Sequence, residues 1–172
     1  MFPTARALLA GALLSFASIT LAQPSGATAQ DWVARSNANA QPLLQVLAKY
    51  APESAAALGV EGYDAEIFDL KPGNDLRFEA DAAAVAATLE ARLADERDPR
   101  VRQDLQILIG AALDQKASSA LNRRLMLPYF DLPEALFQGF RSLLDPRVSK
   151  DRHSAALVRL RKYTGGEPGH QP

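Results

Sequence analysis

The chain has 172 residues and no cysteine, which suffices for one domain but excludes disulfide bonds, thiol catalysis, cysteine-ligated zinc and a lipid anchor on cysteine. Its 19 basic and 20 acidic side chains give a formal net charge of −1. This balance provides neither the basic face that nucleic-acid-binding proteins use nor a polybasic membrane patch.

Residues 1–29 have the organisation of a signal peptide. Arg6 supplies the positive charge, and the nearly uncharged stretch Ala7–Ala22 is shorter than the roughly 20 residues needed to span a bilayer. Two small-x-small cleavage sites follow, of which the one after Ala29 is favoured over the one after Ala22. We therefore expect a periplasmic or secreted protein that has no membrane attachment once the signal is removed.

The mature chain is predicted to begin with a short lead, residues 30–41, followed by one helical domain, residues 42–164. Pro42 suits the first position of a helix that continues to Tyr50, and Trp32 with Val33 could extend this helix or pack separately. The motif PESAAAL predicts a second, short helix ended by a glycine, Gly59.

The middle of the chain predicts an ordered loop and two long helices. The loop covers residues 59–75, where apolar side chains alternate with acids and glycines. A helix over residues 76–95 follows, and the pair Asp98-Pro99 marks the start of another helix that extends to residue 125. The predicted buried stripe of the first helix consists of Phe78, Ala82, Val85, Leu89 and Leu93.

The last third predicts two further helices. One begins at Asp131 and ends before Asp145-Pro146, with Leu136, Phe137, Phe140, Leu143 and Leu144 expected in the core. The other covers residues 151–163, with Ala156, Leu157, Leu160 and Tyr163 inward, before a disordered tail over residues 165–172. Without strand-like alternation or a repeat, the sequence predicts an all-α antiparallel bundle of five to six helices, part of a larger helical fold.

Several segments resemble the N-terminal region of an exported bacterial family of unknown function numbered 885. They are Pro52–Ala55 with Leu58–Val60, Gly62–Asp64 with Asp69-Leu70, the Asp104-Leu105 helix, LPYFDLPEALFQGFRSLLDP and RLRKYTGGEPGH. The resemblance covers most of residues 41–170, and it implies a helical fold related to gluzincin-like metallopeptidases. Full-length members of such a family are expected to be zinc-dependent peptidases.

The residues that would carry that chemistry are missing from this sequence. The family's metal-binding His-Glu motif lies far toward the C-terminus of longer members, and this chain contains no His-Glu pair. The phrase from Glu167 to His170 resembles only a Pro-Gly-His fragment of that motif. The resemblance therefore supplies no catalytic, cofactor-binding or metal-binding residue, and we expect no cofactor and no activity from this chain alone.

Other candidate sites have simpler interpretations. His153 and His170 are too few for a zinc site, and Ser149 is explained better as a helix N-cap than as a nucleophile. The loop acids Glu61, Asp64, Glu66 and Asp69 do not follow the order of a calcium loop and are expected to cap helices or to pair with Arg77 and nearby basic residues.

Two further groups of side chains admit both a binding and a structural interpretation. Tyr129, Phe130, Phe137 and Phe140 could line a ligand groove, but their spacing favours a core role. The basic residues Arg123, Arg124, Arg152, Arg159, Arg161 and Lys162 could face a partner, although a solvated surface is the default.

Three functional hypotheses follow. The chain is the N-terminal portion of a metallopeptidase-like exported protein, without catalytic activity of its own, whose partner is the missing C-terminal region. Alternatively, it is a self-sufficient periplasmic helical module that binds another protein or a small ligand. The third hypothesis, an independent small hydrolase, has the least support, because no nucleophile elbow or metal-ligand set occurs.

Overall fold

A computed structural model describes residues 26–127 and 129–170, and their secondary structure is entirely helical. This part of the chain contains six α-helices, which confirms the predicted all-α class. Their bounds are α1 Gly26–Tyr50, α2 Pro52–Ala57, α3 Asn74–Asp95, α4 Pro99–Leu125, α5 Leu132–Leu144 and α6 His153–Tyr163, with a 3₁₀ turn at Lys150–Arg152 before α6. No helix in these ranges is both long enough and apolar enough to cross a bilayer.

Helix α1 begins well before the predicted position. It starts at Gly26 and contains Pro42 in its interior, so residues 30–41 are helical and the prediction of a lead over this segment was wrong. Tertiary contacts explain the difference, because Trp32 packs against the core and Arg35 donates hydrogen bonds to Glu96 at 2.9 and 3.0 Å. The predicted signal peptide, residues 1–29, lies outside the described residues except for its last four.

Helices α3 and α4 form an antiparallel pair. Glu79 near the start of α3 accepts hydrogen bonds from Arg123 near the end of α4, whereas Arg102 near the start of α4 donates to the carbonyl of Leu93 near the end of α3. Helix α1 packs across both of them. The buried core of these three helices consists of Leu43, Val85, Ala86, Leu89, Val101, Leu105 and Ala112.

The connection between α3 and α4 is held by caps. The Asp98 side chain accepts a hydrogen bond from the backbone N–H of Arg100 at 3.0 Å, with Pro99 in the first turn, as the sequence predicts. Glu96 accepts hydrogen bonds from the N–H groups of Arg97 and Asp98. Because Arg35 of α1 pairs with both carboxylates, the same residues join three helices.

Helices α2, α5 and α6 form the other side of the molecule. Their contacts use small side chains, and the buried positions include Ala55, Ala56, Leu143 and Ala156. Gly59 ends α2 with a φ of 81°, and the N–H of Val60 donates to the Ala55 carbonyl, which is the glycine stop that the sequence predicts.

Two predictions about the C-terminal third were wrong. On α5, Phe137 and Leu144 were expected in the core but are 59% and 54% exposed, because α5 contacts α2 and α6 through its Gly139–Leu143 side. On α6, Leu157 and Leu160 are likewise exposed.

The predicted disordered tail also differs from what the structure describes. Residues 165–170 form turns, in which the Gly166 N–H donates to the Arg161 carbonyl at 2.7 Å and the His170 N–H donates to the Glu167 carbonyl at 3.1 Å. These backbone hydrogen bonds give the segment a defined conformation after α6. Residues 171–172 lie outside the described part.

Candidate functional site

A groove of about 810 Å³ lies where the end of α1, the start of α3 and the end of α4 meet. Its apolar wall includes Leu47, Tyr50 and Phe78, and the two aromatic rings pack edge to face with centroids 5.3 Å apart. The Tyr50 hydroxyl donates a hydrogen bond to Asp81 at 2.8 Å, so this side of the groove is held in place.

The opposite wall of the groove is polar. Arg123 and Ser119 on α4 both donate hydrogen bonds to Glu79 on α3, at distances of 3.1 to 3.3 Å. The hydrogen bonds from Arg123 hold the pKa of Glu79 below its usual value, although burial opposes the shift. Because Arg123 is already paired with Glu79, the neutral polar side chains that α4 offers to a bound molecule include Gln115, Ser118 and Asn122.

The rim of the groove is formed by apolar side chains that protrude into solvent. Met126, Leu127 and Tyr129 follow the end of α4 and are 67%, 89% and 81% exposed. Apolar side chains at nearly full exposure cost free energy in water, since each has surface that burial would remove from solvent. A cluster of this kind at a groove is typical of a docking surface.

A second polar centre is buried between α2, α5 and α6. Arg159 is 1% exposed and donates hydrogen bonds to the backbone carbonyls of Tyr63, Glu66 and Gly139, each at 3.0 Å. Burial lowers the pKa of Arg159, and the nearby Glu53 carboxylate opposes that shift. The arrangement joins the loop over residues 59–73 to two helices and is structural in character.

The Glu53 carboxylate completes this buried centre. It accepts a short hydrogen bond from the Tyr163 hydroxyl and another from the Phe68 N–H at 3.0 Å. Burial and the bond to Glu53 together raise the pKa of Tyr163 well above its usual value. The hydroxyl of Tyr163 therefore donates its hydrogen bond to the Glu53 carboxylate and joins α6 to α2.

Three of the four loop acids form the ion pairs that the sequence predicts. Asp64 accepts two hydrogen bonds from Arg152, Glu66 pairs with Lys162, and Asp69 pairs with Arg77 at 2.7 Å. The bonds from Arg152 lower the pKa of Asp64. These pairs hold the loop against α6 and the start of α3. Among the described residues, no group of three or more histidine and acidic side chains could hold a metal ion.

The candidate residues Ser149 and His153 come from neighbouring turns without forming a catalytic pair. The Ser149 hydroxyl lies 3.3 Å from an Asp151 carboxylate oxygen, and Ser149 occupies the predicted cap position without capping the 3₁₀ turn through its side chain. The Nε2 atom of His153 is buried and has no hydrogen-bond partner among the described residues. His170 lies in the turns after α6, with its Nδ1 atom 3.3 Å from the Pro168 carbonyl.

Two interpretations of side-chain groups need correction. Arg159 was assigned to a solvated basic run but is the most deeply buried charged residue in the described ranges. The sequence did contain a signal for this burial. Arg159 comes three residues after Ala156 and four before Tyr163, so it lies on the same helix face as these two residues. Of the aromatic residues expected in the core, Tyr129, Phe130 and Phe137 are exposed and Phe140 is half-buried, although the Phe130 ring stacks on Phe68 with the centroids 4.3 Å apart.

No protein-family model, curated protein or solved structure matches the chain. Function must therefore be inferred from the residues of this protein. The groove beside Met126, Leu127 and Tyr129 is accessible to another molecule. The buried Arg159 side chain, in contrast, donates its hydrogen bonds to backbone carbonyls of this protein.

Proposed function

We propose that this chain is a non-catalytic helical module of an exported, metallopeptidase-like protein, and that its groove docks the C-terminal region of that protein. The observation that carries the proposal is the exposed apolar rim of Met126, Leu127 and Tyr129 next to the groove. Soluble monomers seldom leave a cluster of this kind uncovered. The likeness of several segments to the exported family numbered 885 supports the identity of the docked region.

The state of the acidic side chains supports a docking role over a reaction. A general acid or base requires a carboxyl group that is free to exchange a proton near neutral pH. Hydrogen bonds from arginine side chains lower the pKa values of Glu79 and Asp64, and although burial opposes the shift, the Lys71 N–H and Arg77 lower the pKa of Asp69. We infer that these carboxylates position the helices and the loop.

Export is part of the same proposal. Residues 1–29 would direct the chain to the periplasm or the medium, and cleavage after Ala29 would remove the first turn of α1. N-terminal sequencing of the exported protein distinguishes a start at Gln30 from a start at Gln23. Retention of the uncleaved segment would contradict this assignment.

Co-expression provides the test of docking. The DNA after the codon for Pro172 is read for a frame that encodes a His-Glu motif, and the encoded polypeptide is produced together with this chain. We expect a complex that Leu127→Glu disrupts, because a charge would be buried at the rim. Leu58→Glu is the matched control, since Leu58 is 85% exposed and lies outside the groove.

Other outcomes of the co-expression experiment would contradict the proposal. A downstream frame without a His-Glu motif, or a complex that Leu127→Glu leaves intact, would refute docking through this rim. A peptidase assay with and without zinc completes the test, and zinc-dependent activity of the isolated chain would show that the module is catalytic.

The alternative is a self-sufficient module that binds a separate partner or ligand, and the complete core between α1, α3 and α4 favours it. Leu89, Val101 and Leu105 are fully buried without help from any other chain. This hypothesis predicts cooperative two-state unfolding and weak binding of a hydrophobic dye by the isolated protein. The first proposal predicts strong dye binding that Leu127→Glu reduces.

A further inference from the structure

The outer face of α5 carries an apolar stripe that residues 26–127 and 129–170 leave largely uncovered. Pro133, Phe137, Phe140 and Leu144 follow one another at steps of four, three and four residues, so they lie on one side of the helix. Phe137 and Leu144 are 59% and 54% exposed, Pro133 is exposed and Phe140 is half-buried. Helix α5 packs inward through a different side, which contains Gly139 and Leu143.

The step pattern is that of a coiled-coil seam. Apolar residues at alternating steps of four and three fill the facing holes of a second helix that carries the same pattern. Helix α5 has 13 residues and is about 20 Å long, which provides four such side chains. A contact of this length is small, and it suits a reversible association better than a permanent one.

The charges beside the stripe indicate what the second helix is. Glu134 and Arg141 each come one residue after a stripe residue, Pro133 and Phe140, so both lie along the same edge. When two identical helices run antiparallel, residues on this edge face each other across the two-fold axis. An axis between residues 138 and 139 places Glu134 of each copy beside Arg141 of the other.

We propose that the chain forms a two-fold homodimer through antiparallel pairing of α5 with α5 of a second copy. Phe137 of each copy packs on Phe140 of the other, and Pro133 packs on Leu144. Two Glu134–Arg141 ion pairs flank this apolar seam. In a parallel pair this edge of one helix would face the opposite edge of the other helix, so it is the antiparallel arrangement that brings Glu134 and Arg141 together.

The proposal is independent of the groove. None of the four stripe residues lines the groove, so the two surfaces consist of different side chains. Loss of one association therefore leaves the other in place.

Sedimentation velocity of the purified chain from about 1 μM to about 1 mM tests the dimer. We expect a reversible monomer–dimer equilibrium that Phe137→Glu weakens at least tenfold. Ile107→Glu is the matched control, because Ile107 on α4 is 61% exposed and should tolerate a charge without affecting the dimer. Leu144→Glu provides a second seam variant, and circular dichroism verifies that each variant is folded.

Charge reversal tests the orientation. Glu134→Arg and Arg141→Glu should each weaken the dimer by placing like charges together, and the double variant should restore it. Because the sequence has no cysteine, an equimolar mixture of Glu134→Cys and Arg141→Cys reports the geometry directly. We expect cross-links mainly between the two different variants.

A chain that remains monomeric throughout the concentration range would overturn the proposal. So would a dimer that Phe137→Glu leaves unchanged, or cross-linking that is no more frequent between the two different cysteine variants than between identical ones.

Discussion

The side chain of Arg159 donates a hydrogen bond to the backbone carbonyl of Gly139 at 3.0 Å, and the two residues fix the distance between α5 and α6. A Cβ atom on Gly139 would lie 2.9 Å from Cγ of Glu53 and 3.4 Å from Nη1 of Arg159. The glycine is therefore required for the close approach of the helices that buries the guanidinium.

Gly139→Ala should destabilise the protein. The added methyl group has to displace Glu53, whose carboxylate is held by Tyr163 and by the Phe68 N–H, so we expect a loss of about 1–3 kcal/mol in the free energy of unfolding. Gly110→Ala is the control, because a Cβ there meets no atom within 4 Å and should stabilise α4 by up to about 1 kcal/mol. Urea denaturation of both variants provides the comparison, and equal effects would contradict the close approach.

Arg159→Met should strongly reduce the free energy of unfolding. The carbonyls of Tyr63, Glu66 and Gly139 would lose their donor inside the protein, at a cost of roughly 3 kcal/mol or more. Arg161→Met, two residues away on the exposed side of α6, should change stability by less than about 0.5 kcal/mol. Similar midpoints of urea unfolding for the two variants would show that Arg159 is not the buried residue.

Trp32→Ala tests the early start of α1. Trp32 packs against the core, and the Arg100 guanidinium lies 5.1 Å from its ring, so its removal should cost about 2 kcal/mol. Val33→Ala, at an exposed position one residue later, should have little effect. If residues 30–41 were only a lead before the domain, neither change would shift the thermal midpoint.

Stability should decrease in acid. Hydrogen bonds from Arg100 lower the pKa of Asp98 to about 2, and arginine partners also lower the pKa values of Asp64 and Glu79. A carboxyl group whose pKa is lower in the folded state contributes stability above its unfolded pKa and loses it as the pH falls through the folded value. The loss should therefore extend from about pH 5 to about pH 2.

Urea midpoints measured at several pH values across that range report the effect. Asp98→Asn keeps an oxygen that can cap α4 but has no charge to titrate, so its midpoint should fall less between pH 5 and pH 2. A decrease equal to that of the unmodified protein would mean that Asp98 does not contribute to the acid sensitivity.

Much of the fold could be predicted because helix ends are local features. The Asp98-Pro99 pair located the start of α4, and Gly59 located the end of α2, since each acts on backbone groups within a few residues. The pairing of Asp69 with Arg77 is local in the same way, whereas Asp64 and Glu66 pair with Arg152 and Lys162, which are 88 and 96 residues away along the chain. The groove could not be predicted, because its walls come from residues as distant as Tyr50 and Tyr129.

From Pro52 onward, caps and periodicity in the amino-acid sequence were enough to predict the helices, their approximate ends and the all-α class. Which faces of these helices are covered depends on how the helices pack in three dimensions. Phe137 remains in solvent although its spacing suits a core, whereas Arg159 is buried although it is charged. The physical reason is that caps and periodicity act within a helix. The burial of a side chain depends instead on what distant parts of the chain place next to it. For Arg159 these are three backbone carbonyls that accept its hydrogen bonds.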